Sequence, residues 1–152
     1  MLEKEIKKQL RRVAKPPAKD KREFIQRYLG TDKTHIGVRA ADRDKLLRRF
    51  AKETKELPAD QVIVILDSLF SSDTFDDINF AGKFLTTAPK VREQIKLNQI
   101  EKWVRKTKGW AECDGLCQSL FSEDEVLQRW SEWQKAINKF SKDKNTQVRR
   151  AG

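Results

Sequence analysis

Residues 108–117 read KGWAECDGLC and predict the first turns of a helix with two chemically distinct side chains on one face. The break Lys106-Thr107-Lys108 precedes this helix, which we predict over residues 109–121. Trp110 and Asp114 are four residues apart, so a helix places them one turn apart on the same side. An aromatic face beside a fixed negative charge suits a cation, or a group that becomes cationic in a transition state.

Further helices are predicted on both sides of this stretch, because apolar residues recur there at helical spacing between short breaks. They fall at residues 2–14, 19–29, 41–54, 59–70, 74–87, 91–106, 124–140 and from 146 onward. Helix starts recur with a pair period of roughly 35 residues, which is typical of solenoids. The sequence therefore predicts an all-α fold, an α-solenoid of HEAT-like antiparallel helix pairs, in one domain over residues 1–152.

Local signals define several of these helix ends. Pro16-Pro17 ends the first helix, Ser122 and Glu125 fit a capping box, and Asn145 can cap the last helix. The first helix has a basic face and an apolar face, which suits either a membrane surface or packing on the next helix. Its apolar face holds no Trp or Phe, and this favours packing.

Composition limits the classes of protein to which the chain can belong. Only 6 Gly and 4 Pro in 152 residues argue against a turn-rich β fold. No apolar run approaches the ~20 residues that span a bilayer, and the N-terminus is too charged for a secretory signal. The formal charge of +10 predicts a partner that carries phosphate or an acidic surface, although a merely soluble cationic domain has the same charge.

The positive charge is uneven along the chain. The stretch from Glu56 to Gly82 has six acids and no Lys or Arg, whereas residues 1–22, 90–108 and 135–150 are strongly basic. Five basic residues fall at predicted turns near helix N-termini, where free N–H groups also favour phosphate: Lys106, Lys108, Lys142, Lys144 and Arg149. Corresponding turns line one edge of a solenoid, so we predict a surface for the DNA backbone. The alternative is a set of solvated helix faces.

The cysteines predict neither a disulfide nor a metal site. Cys113 and Cys117 are four apart on one predicted helix, where their side chains are poorly placed for a bridge. Two thiols and the single His35 are too few for a zinc site. We therefore expect reduced cysteines that pack as small apolar residues in a cytosolic protein.

A second stretch, residues 146–152, reads TQVRRAG. With the first it resembles the DNA alkylation repair family of AlkD-like glycosylases, which has Trp-x-x-x-Asp at the start of one helix and an Arg before two small residues one repeat later. Trp110, Asp114 and Arg150 match those positions, and Arg149 competes with Arg150. Tyr28 falls where the family keeps a Tyr that faces the DNA groove; it could instead be a half-buried core aromatic.

The resemblance implies a monofunctional glycosylase that removes purines alkylated at N3 or N7 from duplex DNA, without needing a flipped base in a deep pocket. Asp114 would stabilise the oxocarbenium character of the deoxyribose and position water. Trp110 would pack against the sugar, and Arg150 would bind the adjacent phosphate and orient Asp114. The resemblance implies no metal and no organic cofactor, and with it we expect a monomer in the cytoplasm that associates with the nucleoid when bound to DNA. The resemblance covers nearly all of this chain but about two thirds of a typical member, so it implies further helix pairs after Gly152.

Each matched residue also has a purely structural interpretation. Trp110 could be a core residue, since Trp103, Trp130 and Trp133 lie mostly at positions typical of core. Asp114 could cap the helix or pair with a neighbouring cation, and we predict that Glu112 is solvated. The chain departs from many members at Ala111, where they have Asp, and at Gly115, where they have Ser. The rival function is a non-catalytic HEAT-like module that binds branched or damaged DNA, or a protein.

Overall fold

A computed structural model describes residues 2–120 and 122–152, and in this part of the chain all regular structure is helical. The described residues form eleven helices: α1 Leu2–Val13, α2 Lys19–Leu29, α3 Ala40–Thr54, α4 Ala59–Phe70, α5 Phe75–Thr86, α6 Pro89–Arg92, α7 Leu97–Lys106, α8 Gly109–Leu120, α9 Glu123–Gln128, α10 Trp130–Phe140 and α11 Thr146–Ala151. They include no strand, and one isolated parallel bridge joins Thr34 to Thr74. The all-α prediction is confirmed.

Eight of the helices pack in two rows. Row one consists of α1, α4, α7 and α10, in which each helix contacts the next. Row two consists of α3, α5, α8 and α11, with its most extensive contact between α5 and α8. The helices of row two start at residues 40, 75, 109 and 146, which follows the predicted repeat. This arrangement agrees with a helical solenoid. Helix α2 lies outside the rows and packs on α8.

The hydrophobic core lies between the two rows. Its largest fully buried side chains include Trp103 from row one and Phe50 and Phe80 from row two. Ile6 and Leu10 are also buried, so the apolar face of α1 packs into the core as predicted. No helix in the described part of the chain is long and apolar enough to cross a membrane.

The stretch predicted as one helix over residues 91–106 is two helices. The N–H groups of Gln94 and Ile95 bond to carbonyls three residues back, which closes a tight turn after α6. Lys96 is then extended, with φ −78° and ψ 146°, and α7 begins after it. Ile95, in the turn between the two helices, is buried in the core. Apolar periodicity continues across the turn and conceals it.

The predicted helix over residues 124–140 also divides into two, because Arg129 leaves the helical region with φ −115° and ψ 28°. Its guanidinium donates to the carbonyl oxygen of Ile95 at 3.0 Å and to Glu132 Oε2 at 2.9 Å. The contact with Ile95 is long-range and favours the break. The capping box of Ser122 and Glu125 and the cap by Asn145 are confirmed. The predicted end of the 109–121 helix lies at Phe121, outside the described residues.

Acids of the stretch between residues 56 and 82 hold neighbouring elements together. Asp77 is fully buried and accepts from both terminal nitrogens of Arg11 at 3.0 Å. Asp76 accepts from the backbone N–H groups of Ile36 and Val38, and it contacts His35 Nδ1 at 2.9 Å. Burial of a carboxylate is costly unless it is paired, and both are paired. These contacts fix α1 and the loop before α3 against α5.

Candidate active site and DNA-facing surface

Asp114 and Arg150 meet at an open position on row two. Arg150 Nε donates to Asp114 Oδ1 at 2.5 Å, and Arg150 Nη2 donates to Asp114 Oδ2 at 2.7 Å. Asp114 lies in α8 and Arg150 in α11, which pack side by side, so two neighbouring helices bring the residues together. The Asp114 and Arg150 side chains are 32% and 47% exposed. The pair is therefore bidentate and accessible from outside the molecule.

The pair fixes the charge of the carboxylate. Hydrogen bonding to the Arg150 guanidinium lowers the pKa of Asp114 below its ordinary value of 3.8, and burial opposes this shift. The same contact raises the pKa of Arg150. Asp114 is thus a full negative charge near neutral pH, held in one orientation and open to solvent. Arg149, the competing arginine, instead donates to the carbonyl oxygens of Asp143 at 2.7 Å and Lys144 at 2.9 Å.

Trp110 lies one turn before Asp114 on α8 and is not a core residue. It is 40% exposed, and its indole Nε1 donates to the carbonyl oxygen of Tyr28 at 2.6 Å. The Tyr28 ring meets the indole edge-on, with ring centroids 5.5 Å apart and an interplanar angle of 89°. Tyr28 is 63% exposed, so the half-buried core interpretation of this residue is wrong. An aromatic surface therefore lies next to the Asp114 carboxylate.

Two glycines allow α2 to approach α8 closely enough for this contact. Gly30 ends α2 with φ +69°, and Gly109 starts α8 with φ +66°. A Cβ on Gly109 would lie 2.2 Å from the carbonyl oxygen of Leu29, which is far inside van der Waals contact. Only glycine tolerates both the positive φ and this approach. The two backbones therefore touch at the point that sets Tyr28 against Trp110.

Glu112 is buried, which corrects the prediction that it is solvated. It is 3% exposed and lies 2.8 Å from Lys33 Nζ, and it accepts from the Thr31 hydroxyl at 2.6 Å. Its Oε2 also accepts from the backbone N–H of Lys108 at 2.8 Å. Lys33 Nζ donates in addition to the carbonyl oxygen of Lys106 at 2.8 Å. This network, formed by Thr31, Lys33 and Glu112, locks the loop after α2 onto the start of α8.

Sequence reasoning missed this network because its two ends are 79 residues apart. A lysine in a polar loop and a glutamate in the first turn of a helix are both typical of solvated positions. The one available signal was the glycine at each end of the contact, Gly30 and Gly109, which marks a close backbone approach.

The predicted DNA-binding lysines differ in whether their ammonium groups already have a partner among the described residues. The ammonium groups of Lys108, Lys142 and Lys144 are on exposed residues and make no hydrogen bond or ion pair within the described part of the chain. Lys106 instead donates to Ser71 Oγ at 2.5 Å and lies 3.7 Å from Asp67 Oδ1. Lys108 and the pair Lys142 and Lys144 lie at the turns before α8 and α11, which carry Asp114 and Arg150.

The structure also tests the predictions for the two cysteines and for the other tryptophans. Cys113 is buried in the core, and neither it nor Cys117 forms a disulfide. Hydrogen bonding with Cys113, together with burial, raises the pKa of Cys117, so this thiol stays protonated. Trp103 and Trp133 are buried, whereas Trp130 is 49% exposed and is not a core residue. Within the described ranges, no cluster of three or more His, Cys, Asp or Glu side chains could hold a metal ion.

Comparison with known protein families gives one match. The family model for DNA alkylation repair enzymes matches residues 6–152, which include all three site residues. The chain belongs to this family. No curated protein and no solved structure matches the chain. Membership of the DNA alkylation repair family supports a role as an enzyme of DNA repair, with DNA as the partner.

Proposed function

We propose that this member of the DNA alkylation repair family is a monofunctional DNA glycosylase. It binds duplex DNA and hydrolyses the N-glycosidic bond of purines that carry a positive charge after alkylation at N3 or N7. The observation that carries the proposal is the Asp114 carboxylate, which Arg150 holds ionised on an open surface beside an exposed indole.

The carboxylate supplies the electrostatic part of the mechanism. A cationic purine is a good leaving group, and its departure builds oxocarbenium character on the deoxyribose. A preorganised negative charge next to that sugar stabilises the transition state more than the ground state. Each oxygen of Asp114 accepts one bond from Arg150 and retains a second lone pair. That lone pair can hold the water that attacks the anomeric carbon after the base has left.

Trp110 and Arg150 position the nucleotide. The indole presents an apolar face on which the sugar packs, and its bond to the carbonyl oxygen of Tyr28 fixes its orientation. Arg150 uses Nε and Nη2 for Asp114, which leaves Nη1 to bind the adjacent phosphate. The open position suits a duplex, because it needs no deep pocket for a flipped base. These roles require no metal ion and no organic cofactor.

The products test the proposed reaction. Incubation with duplex DNA that contains 7-methylguanine or 3-methyladenine should release the free base and leave an abasic strand that is uncut until alkali is added. The measurement is chromatography of the base together with denaturing electrophoresis of the labelled strand, before and after alkali. Binding of the same duplex without release of any base would favour the rival, a non-catalytic module that binds damaged DNA.

The free lysines at the turns predict a steep dependence of DNA affinity on salt, since neutralisation of each phosphate releases counterions. Changing Lys108, Lys142 and Lys144 together to Gln should flatten the slope of log K against log salt by about 0.9 for each phosphate that these lysines neutralise. The control is Lys106→Gln, because Ser71 and Asp67 already occupy that ammonium group. If the triple variant has the same slope as the parent protein, these lysines do not neutralise phosphates and the DNA backbone lies elsewhere on the surface.

A further inference from the structure

Helix α2 presents an aromatic face that the fold itself does not use. None of its residues is buried, and among the helices it packs mainly on α8. Phe24, one of the apolar residues whose spacing predicts this helix, is 62% exposed. Its ring lies 6.3 Å from that of Tyr28 between centroids, with the two planes 9° apart. Singly exposed apolar residues are common, but adjacent exposed rings form a contiguous patch, which is a feature of interaction surfaces.

This surface is continuous with the candidate active site. Phe24, Tyr28 and Trp110 form an aromatic strip, because Tyr28 contacts the rings on both sides of it. The strip is anchored at the Trp110 end by the indole bond to Tyr28 and by the close approach of Gly30 and Gly109. Phe24 therefore lies on an anchored helix, one turn before Tyr28 and at the end of the strip opposite Trp110.

The charges beside the strip favour a nucleic acid as its occupant. Lys21 and Arg27 lie three residues before and three after Phe24, so they share its side of α2. Both are exposed, and neither side chain makes an ion pair or hydrogen bond to a described residue. Asp20 is the acid on this side, and it lies at the start of α2, away from Trp110. Rings between free cations suit a strand whose sugars and bases are flanked by phosphates.

We propose that Phe24 is a DNA contact that extends the site along one strand. The rings of Phe24 and Tyr28 pack against the sugars and base edges of the nucleotides beside the alkylated one, and Lys21 and Arg27 bind the phosphates there. This inference rests on the proposed function for the identity of the ligand, but it does not depend on the chemical step. Phe24 touches no reacting atom, so its role is to hold the duplex in position.

An apolar contact has a signature that separates it from the phosphate contacts. Phe24→Ala should weaken binding of a duplex with a single 7-methylguanine about tenfold, since removing the apolar surface of one aromatic ring from water contributes on this scale. The slope of log K against log salt should stay that of the parent protein, because no counterion is involved. Phe24→Trp should restore the affinity. Leu127→Ala is the control, since Leu127 is equally exposed, at 61%, on α9.

The experiment is a salt titration of binding by fluorescence anisotropy with all four proteins, each checked by thermal melting. The inference is supported if Phe24→Ala alone loses affinity at every salt concentration by the same factor. It is overturned if Phe24→Ala binds as the parent and Leu127→Ala do, and the strip then serves another class of partner. If the parent protein releases no base but Phe24→Ala still weakens DNA binding as expected, the proposed chemistry is overturned and the Phe24 contact is supported.

Discussion

Asp114→Asn should slow single-turnover release of 7-methylguanine or 3-methyladenine from duplex DNA by about 10²- to 10³-fold. The substitution keeps the shape of the side chain but removes the charge that opposes the oxocarbenium ion. Removal of one preorganised electrostatic interaction has effects of this size in other enzymes. Because this interaction exists mainly in the transition state, the deficit should persist when enzyme saturates the DNA.

DNA affinity provides the internal control for this prediction. Removal of an acid near phosphates reduces repulsion, so the Kd of Asp114→Asn should equal or fall below that of the parent protein. Glu53→Gln is the matched variant, since Glu53 also pairs with an exposed arginine, Arg49, at 2.8 Å, but lies on α3. It should release base at the parent rate. If Asp114→Asn also does so at equal saturation, the role given to this carboxylate is wrong.

Glu112→Ala should lower the melting temperature by on the order of 10 °C for a chain of this size. The substitution leaves Lys33 buried and without its carboxylate, and the loss of one member of a buried pair costs about 3–5 kcal/mol. The Thr31 hydroxyl and the backbone N–H of Lys108 also lose their acceptor. Circular dichroism melts of the parent and the variant measure the effect.

The matched control for this variant is Asp60→Ala. Asp60 is an acid in the first turn of α4, as Glu112 is in the first turn of α8, but it is exposed. The control therefore removes the same interaction with the helix dipole, worth about 0.3–1 kcal/mol, without disturbing a buried pair. Equal, small decreases in melting temperature for both variants would show that the Thr31, Lys33 and Glu112 network does not stabilise the fold.

The sequence predicts the positions of most helices because their ends have local signals. Pro16-Pro17 ends α1, the box of Ser122 and Glu125 starts α9, and Asn145 caps α11. The approach of Arg150 to Asp114 is also predictable, since equivalent helices of a repeat pack side by side. A spacing of one repeat therefore places the arginine beside the carboxylate, and the structure has this contact.

Contacts between residues far apart in sequence determine the features of the fold that local sequence patterns do not predict. The helix breaks at Arg129, whose guanidinium binds a carbonyl oxygen 34 residues away, and no local residue type marks that break. Lys33 and Glu112 are charged residues that are buried as an ion pair, and their separation in sequence conceals the pairing. The exposure of Phe24 depends on α2 leaving both rows of helices, which apolar periodicity within α2 cannot show.

The most direct test of the central claim compares two duplexes that mimic the sugar after the base has left. In one, a pyrrolidine that is protonated at neutral pH replaces the deoxyribose of a single nucleotide; in the other, a neutral tetrahydrofuran does. If the Asp114 charge is complementary to the oxocarbenium ion, the parent protein binds the cationic duplex about tenfold tighter or more, and Asp114→Asn loses that preference. Equal affinity of the parent for both duplexes, or an undiminished preference in Asp114→Asn, would contradict the claim.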